Sequence, residues 1–295
     1  MKEQTVTLLA PAKVNLTLDV LARRSDGYHE LSTIMQTVSL ADTVTVSVAS
    51  AAETTVELTC DKSFVPTDER NIAVKAAKLF LTEVNQVAHV RIAIAKNIPV
   101  GAGMGGGSTD AAAVLRALDA LLETKLSAET MNRLAKSIGA DVPFLIDGGC
   151  ALAKGIGEAL QPVPVFTGIP LVLCKPRASA ATKAIFSRLH VDAITEHPDT
   201  LGMLEAVEAQ NLAATAFRLF NVLEPVTTEI CPVVAEYHRA LLKVGALGAA
   251  MTGSGTAVFG IFADHASASA AAATLKTQCD QVWVMETIGE NPSIL

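Results

Sequence analysis

Apolar and polar residues alternate along much of the first hundred positions, with the two-residue period of half-buried β-strands. The pattern predicts strands joined by turns rather than by long linkers. The strand candidates are 5–9, 14–22 with Asn15 as an interruption, 43–48, 55–59 and 90–95. Because 90–95 alternates rather than being apolar throughout, we expect it to pair with an antiparallel neighbour.

A helical period replaces the alternation at three places in the first half of the chain. Asn71 and Ser127 each precede apolar residues spaced three and four apart, so both are predicted helix N-caps. Gly139 is the predicted end of the second helix. The third helix is expected to run from Asp110 to near Leu122, with Ser108 and Thr109 as its caps.

The second half of the chain contains both the two-residue period of strands and the period of helices. Pro162-Val-Pro164 marks a candidate domain boundary before it. Its predicted elements are a strand at 170–174, helices near 182–189, 201–210 and 233–244, and a final strand, helix and strand at 256–262, 265–278 and 281–286. We therefore expect an α+β protein with two domains, 1–162 and 163–295, and a functional cleft between them.

Composition narrows the function classes. The net charge is −7 and no basic cluster exceeds the pair Arg23-Arg24, which disfavours nucleic-acid binding. No run of about 18 apolar residues predicts a membrane span. The five cysteines are scattered and form no C-x-x-C pair, as expected for reduced thiols in a cytosol. We expect a cytoplasmic protein with a small-molecule partner and without nucleic-acid or membrane partners, as a monomer or a homodimer.

Glycine is dense between Gly101 and Gly107, where five of seven residues lack a β-carbon. Backbone N–H groups in such a loop can converge on an anion without obstruction by side chains. The helix that follows adds unpaired donors and the positive end of its dipole, a combination that suits phosphate. The sequence therefore predicts a nucleotide-binding loop over Pro99–Thr109.

Other glycine loops fit this segment less well. Gly101, Gly103 and Gly106 satisfy G-x-G-x-x-G, but a dinucleotide site needs a buried parallel strand directly before the loop. A Walker A loop needs a lysine where Gly107 stands. A protein-kinase glycine loop lies between two strands rather than before a helix. A plain surface turn remains as an alternative.

Two segments supply a cation and a carboxylate. Lys13 lies in the segment Pro11–Asn15, at the otherwise apolar start of a predicted strand. Asp141 lies in the segment Gly139–Pro143. Lys13 alone is equally explained as an edge-strand lysine that prevents aggregation, and Asp141 as the N-cap of a short turn. Together they are the charges that phosphoryl transfer uses, since that reaction relies on positioning and charge stabilisation.

Two further turns have candidate roles in binding. Tyr28 and His29 follow an Asp-Gly turn and could form a platform for a planar ring, or Tyr28 could pack beneath its own turn. The segment 248–256 contains a second glycine-rich turn, which is either a hairpin corner or a backbone that approaches a ligand from the second domain.

Three segments together, Pro11–Asn15, Pro99–Thr109 and Met251–Gly255, resemble the three motifs of the GHMP small-molecule kinases (galactose, homoserine, mevalonate and phosphomevalonate kinases). A narrower resemblance is to the branch that phosphorylates a CDP-linked methylerythritol in the non-mevalonate isoprenoid pathway. It is carried by 24–30, 105–112 and 139–143, and supported by 154–158 and 221–225. The resemblance extends from about residue 8 to residue 260.

The resemblance implies a two-domain GHMP kinase fold, with 1–162 as the ATP-binding N-terminal domain and 163–295 as the C-terminal domain. It implies transfer of the γ-phosphate of ATP, with Mg²⁺, to the 2-hydroxyl of the methylerythritol moiety. Asp141 resembles the catalytic carboxylate and Lys13 its partner. The residues that match ATP-binding positions are Pro99, Val100, Gly101, Ala102, Gly103, Met104, Gly105, Gly106, Gly107, Ser108 and Thr109, with Lys96 and Asn71 near the nucleoside.

For the second substrate, Tyr28 and Phe186 match aromatic residues that sandwich the cytosine, and His29 matches a residue that hydrogen-bonds it. Asn15 and Thr182 match positions near the polyol. For Mg²⁺ the sequence offers a hydroxyl from Ser108 or Thr109 and indicates no carboxylate ligand. Two alternatives stay open: a GHMP kinase with another alcohol substrate, and a nucleotide-binding sensor without turnover.

Overall fold

Two β-sheets organise residues 3–292, the part of the chain that the computed structural model describes. Within that range the first sheet has seven strands and the second has four. The strands are β1 (Gln4–Arg23), β2 (His29–Ser50), β3 (Thr55–Cys60), β4 (Ala88–Ala95), β5 (Cys150–Gly155), β6 (Ala159–Pro162), β7 (Pro170–Lys175), β8 (Phe220–Asn221), β9 (Gly248–Met251), β10 (Val258–Ile261) and β11 (Gln281–Glu286).

The helices cover these sheets and connect them. They are α1 (Ile72–Glu83), α2 (Gly106–Leu121), α3 (Ala128–Ile138), α4 (Val142–Asp147), α5 (Thr182–Arg188), α6 (Thr200–Glu208), α7 (Leu212–Phe217), α8 (Glu224–Ile230), α9 (Val233–Lys243) and α10 (His265–Leu275), with a 3-10 turn at Val191–Ala193. Within residues 3–292 no helix is both long enough and apolar enough to cross a membrane.

The long hairpin of β1 and β2 forms the centre of the first sheet, whose order is β3-β4-β2-β1-β8. β5 pairs with the other half of β2, and β6 pairs with β5. The alternation in 90–95 correctly predicts antiparallel pairing of β4, which β2 provides. Its other neighbour, β3, runs parallel to it.

Alanine allows helices α1 and α2 to pack closely against each other and the sheet. Ala76 and Ala77 of α1 and Ala111 and Ala112 of α2 are fully buried in one apolar cluster, together with Phe80. Burying a side chain the size of Phe80 contributes about 1.5–3 kcal/mol relative to leaving it exposed. This packing fixes the position of α2 relative to the sheet. Because the glycine loop leads into the N-terminus of α2, its position is fixed as well.

The predicted N-caps Asn71 and Ser127 are confirmed, and the predicted caps Ser108 and Thr109 are wrong. Asn71 and Ser127 are N-caps, and their side chains accept hydrogen bonds from backbone N–H groups of α1 and α3. Helix α2 instead begins at Gly106, with Gly105 as its N-cap at φ +73°. Ser108 and Thr109 therefore lie inside its first turn, because glycine can take the left-handed conformation at the cap that serine and threonine disfavour.

Segments from late in the chain return to the first sheet. β8 lies parallel to β1, and Thr287 and Glu290 form bridges with Val38 and Gly148. The second sheet, in the order β11-β7-β10-β9, holds the rest of the C-terminal half. The division at 162/163 stays a prediction.

Candidate active site

The two glycine-rich segments pack backbone against backbone. Thr256 and Ala257 donate their N–H groups to the carbonyls of Gly101 and Ala102, both at 3.3 Å. A β-carbon on Gly103 would lie 2.0 Å from the carbonyl oxygen of Thr252. The turn at 252–256 therefore holds the glycine loop in place, and only glycine allows this approach at position 103.

The start of α2 faces a cavity of about 440 Å³. All residues from Pro99 to Ser108 line this cavity. The first turn of a helix has N–H groups without intrahelical partners, so this turn offers donors to the cavity. The C-terminal half contributes Thr182, Phe186, Leu223, Gly253 and Ser254 to the lining. The predicted cleft between the two halves of the chain is therefore present.

Lys13 and Asp141 meet in this cavity. Lys13 is only 3 % exposed, and its Nζ lies 3.7 Å from Oδ2 of Asp141. It also donates to Oδ1 of Asn15 at 2.7 Å. An edge-strand lysine that blocks aggregation would be exposed, so that alternative is wrong for Lys13.

Asp141 occupies the N-cap position of α4, but its side chain makes no capping hydrogen bond. Pro143 lies in the first turn of α4 and has no N–H group for a cap to receive. The side chain of Asp141 is 35 % exposed and lines the cavity. The alternative that Asp141 is an N-cap is therefore right for its position, but the carboxylate itself is not used for capping and is available to a ligand.

Asn15 connects Lys13 to the turn at 252–256. Its Oδ1 accepts hydrogen bonds from Lys13 Nζ, from the N–H of Gly253 at 2.9 Å and from the hydroxyl of Thr252 at 3.2 Å. Its Nδ2 donates to Thr33 at 2.8 Å. The acceptor oxygen is thus fully used within the protein, which leaves part of the amide NH₂ for the polyol contact predicted from the sequence.

Lys96 and Asn71 are both held by neighbouring groups. The ammonium of Lys96 is buried and contacts Asp42 and, at 2.7 Å, Asp110. Asn71 uses its Oδ1 to cap α1 and donates through Nδ2 to the carbonyl of Pro66 at 2.8 Å. Lys96 lines the cavity. Asn71 does not line it, although the next residue, Ile72, does.

Of the residues predicted for cytosine, Phe186 lines the cavity, whereas Tyr28 and His29 are not among its lining residues. The rings of His29 and Phe186 are in contact, with centroids 5.0 Å apart. Partial burial and the nearby Arg23 cation lower the pKa of His29, so its imidazole is neutral near pH 7 and offers one donor and one acceptor. Tyr28 is 61 % exposed, so it does not pack beneath its own turn and stays free to contact a ligand.

The two hydroxyls considered for Mg²⁺ differ in their surroundings. Thr109 is 1 % exposed and donates its hydroxyl to the carbonyl of Pro11 at 2.8 Å. Ser108 lines the cavity. Between residues 3 and 292 no three histidine, cysteine or acidic side chains gather as a metal site.

Asp42 and Asp110 are buried charges that the sequence patterns did not identify. Asp110 lies in an alanine-rich helix, and Asp42 precedes an alternating strand, so each resembled an ordinary polar position. Burial raises the pKa of Asp110 to about 7, against the opposing effect of Lys96. The only available signal was the unusual presence of a charge among apolar neighbours.

Comparison with known proteins places this geometry in a family. The GHMP kinases N terminal domain matches residues 71–149, and the GHMP kinases C terminal domain matches residues 203–281. A 4-diphosphocytidyl-2-C-methyl-D-erythritol kinase of Clostridium botulinum (strain Kyoto / Type A2) is 42 % identical over 279 residues, which cover 95 % of this chain and 99 % of the relative. The chain belongs to the 4-diphosphocytidyl-2-C-methyl-D-erythritol kinase family.

Two more members of this family support the assignment. The kinase of Acetivibrio thermocellus is 40 % identical over 285 residues, 97 % of this chain and all of the relative. A crystal structure of a 4-(cytidine 5'-diphospho)-2C-methyl-D-erythritol kinase superposes with a TM-score of 0.81 at 34 % identity, covering 96 % and 99 % of the two chains. The predicted α+β GHMP kinase fold is confirmed.

Proposed function

We propose that this chain transfers the γ-phosphoryl group of ATP to the 2-hydroxyl of 4-diphosphocytidyl-2-C-methyl-D-erythritol, giving the 2-phosphate and ADP in the non-mevalonate isoprenoid pathway. Membership of the family supports both the phosphoryl donor and the substrate. The observation that carries the chemistry is the Lys13–Asp141 pair, which lines the same cavity as the glycine loop.

The glycine loop supports ATP binding through its backbone. The triphosphate lies along residues 101–108, where N–H groups and the dipole of α2 compensate its charge. The terminal phosphoryl group then points across the cavity towards Lys13 and Asp141. Catalysis of this kind is mainly positioning and electrostatic stabilisation of a loose transition state.

Lys13 and Asp141 act on the acceptor alcohol. Asp141 orients the 2-hydroxyl and accepts its proton as the new O–P bond forms and the bond between the γ-phosphorus and the bridging oxygen of ADP breaks. Lys13 stabilises negative charge on the attacking oxygen and the transferred group. Asn15 and Thr252 keep the Lys13 ammonium in this position through the hydrogen bonds described above.

The cytidine moiety is recognised by Phe186, which lines the cavity, together with His29, whose ring contacts it, and Tyr28. Phe186 and Tyr28 provide ring faces for the cytosine, and neutral His29 provides hydrogen bonds to its edge. Thr182, whose hydroxyl contacts that of Ser254 at 2.8 Å, lines the same cavity as Phe186 and the glycine loop. Its position fits a contact with the polyol or its phosphates.

Mg²⁺ fits the site as a partner of ATP. It prefers oxygen ligands and commonly binds through substrate phosphates with one or two protein groups. Among the residues that line the cavity, Ser108 offers a hydroxyl in the first turn of α2 and Asp141 offers a carboxylate. Bound there, Mg²⁺ would neutralise phosphate charge.

We further propose that the protein is located in the cytoplasm, where we expect the enzymes of the non-mevalonate isoprenoid pathway to act.

A substrate panel tests this function. ADP release is measured with 4-diphosphocytidyl-2-C-methyl-D-erythritol, mevalonate, homoserine and galactose at equal concentrations. Turnover with the first compound alone supports the proposal. Turnover with another alcohol indicates a different GHMP kinase, and ATP binding without any turnover indicates a nucleotide sensor.

A further inference from the structure

Asp42 lies where the pairing of β2 with β4 ends. The last pair of that ladder is Thr43 with Ala95, so Asp42 stands opposite Lys96, the first residue after β4. Opposed residues in an antiparallel pair point to the same face. From Lys96 the chain continues directly into the glycine loop.

Both oxygens of the Asp42 carboxylate are occupied by this connection. Oδ1 accepts the N–H of Asn97 at 2.6 Å and that of Ile98 at 2.8 Å, and Oδ2 contacts the ammonium of Lys96. The carboxylate is fully buried. A single side chain on β2 therefore satisfies three donors on three successive residues.

The residues that are hydrogen-bonded to Asp42 pack directly against the first turn of α2. A β-carbon on Gly106 would lie 3.2 Å from Ile98 and 3.3 Å from Nζ of Lys96. Asp110, one turn further along α2, contacts the same ammonium at 2.7 Å. A shift in the path of residues 96–98 would consequently displace the N–H groups that face the cavity.

Stability alone does not account for a charge at this position. A buried ion pair costs desolvation energy and is commonly no more stable than apolar residues of similar volume. The backbone N–H groups of Asn97 and Ile98 nevertheless need an acceptor, because they leave the β4 ladder at a point where no strand continues. A carboxylate at position 42 meets that need and fixes Lys96 as well.

We propose that Asp42 is a positioning residue for nucleotide binding. It sets the path of the backbone at residues 96–98 and thereby the position of the glycine loop relative to the cavity. This inference rests on the proposed function only for the identity of the nucleotide. Asp42 does not line the cavity and acts through the backbone of its neighbours.

Two substitutions separate the backbone contacts from the charge. Asp42→Ala removes the acceptor of both N–H groups. Asp42→Asn keeps one acceptor oxygen for them, but removes the charge and replaces the oxygen that contacts Lys96 with an amide NH₂. We expect Asp42→Ala to weaken ADP binding, measured by calorimetry, by about tenfold or more, because one lost buried hydrogen bond already corresponds to about tenfold and this variant loses two. Asp42→Asn should retain most of the affinity.

Asp119→Ala is the matched control. Asp119 lies near the far end of α2 and accepts the N–H of Leu126 at 2.9 Å, so its loss also leaves a backbone group without its acceptor. This variant should lose thermal stability without losing ADP affinity. The KM for the cytidine substrate should stay within about twofold in the Asp42 variants, since the residues proposed to bind cytosine are unchanged.

Three results would overturn the proposal: unchanged ADP affinity in Asp42→Ala, equal losses in the alanine and asparagine variants, or an equal loss in the Asp119 control. If Asp42→Ala does not fold, hydrogen exchange of the wild-type protein without nucleotide gives the answer. The amides of Asn97 and Ile98 should be protected, and exchange at the rate of an open loop contradicts the inference. Because calorimetry uses ADP alone, these results stand even if the substrate panel fails.

Discussion

Nζ of Lys13 and Oδ2 of Asp141 lie 3.7 Å apart, although one residue belongs to the first strand and the other to the start of α4. Lys13 is buried and Asp141 reaches the cavity, so the pair presents one shielded cation and one accessible carboxylate. Asp141 makes no capping hydrogen bond with its side chain, so its carboxylate is free for the acceptor role that we propose.

Removal of the Asp141 charge should stop turnover but not nucleotide binding. We expect Asp141→Asn to lower kcat by about 10²–10⁴-fold, the usual effect of losing a general base. ADP affinity should be retained, because the glycine loop is intact. Asp147→Asn, an exposed carboxylate at the other end of α4, is the control and should resemble the wild type. Normal turnover in Asp141→Asn would remove this residue from its role.

Loss of an aromatic ring should affect one substrate only. Tyr28→Ala and Phe186→Ala should each raise the KM for the cytidine substrate by about tenfold or more, since stacking on a base contributes about 1–3 kcal/mol. The KM for ATP should stay constant. Tyr28 is exposed, so its variant should also keep wild-type thermal stability. Parallel increases in both KM values would argue against a cytosine site here.

Gly103 tests the contact between the two glycine segments. Gly103→Ala forces a β-carbon against the carbonyl of Thr252, and we expect a lower melting temperature and a higher KM for ATP. Gly245→Ala is the control, because Gly245 has φ +99° but open space where an added β-carbon would lie. It should show only the strain of a positive φ, about 1 kcal/mol or somewhat more. Identical behaviour of the two variants would mean that the packing of the segments is unimportant.

The raised pKa of Asp110 predicts that the stability of the protein depends on pH. Burial raises its pKa to about 7, with Lys96 lowering it and Asp42 raising it, whereas an unfolded aspartate titrates near 3.9. Between about pH 4 and pH 7 the folded state therefore binds more protons than the unfolded state, so the free energy of unfolding falls as the pH rises through this window. Asp110→Asn should remove that fall, as measured by urea unfolding across the window. Parallel curves for the wild type and the variant would contradict this assignment.

The sequence predicted those elements that depend on local chemistry. Asn71 and Ser127 were recognisable as caps because a side chain that bonds the first helical turn has few alternatives. The same rule failed at Ser108 and Thr109, where glycine at position 105 starts the helix earlier. Residues 29–42 of β2 were not predicted as strand, because their pairing with β1 and β5 is set by distant segments.

The candidate site shows the same division. Lys13, Asp141 and the glycine loop were found from motifs, but the motifs do not contain the network that joins them. Asn15 contacts Thr252 and Gly253 from the far end of the chain, and Asp42 organises the loop from a neighbouring strand. These contacts depend on the three-dimensional fold and leave no periodic pattern in the sequence.

Phosphorus NMR of the reaction products tests the central claim most directly. The wild-type protein, incubated with ATP, Mg²⁺ and 4-diphosphocytidyl-2-C-methyl-D-erythritol, should form ADP and a new phosphomonoester on the 2-hydroxyl in equal amounts, and Asp141→Asn should form neither at a comparable rate. ADP formation without the phosphomonoester, or a phosphate on a different hydroxyl, would contradict the account.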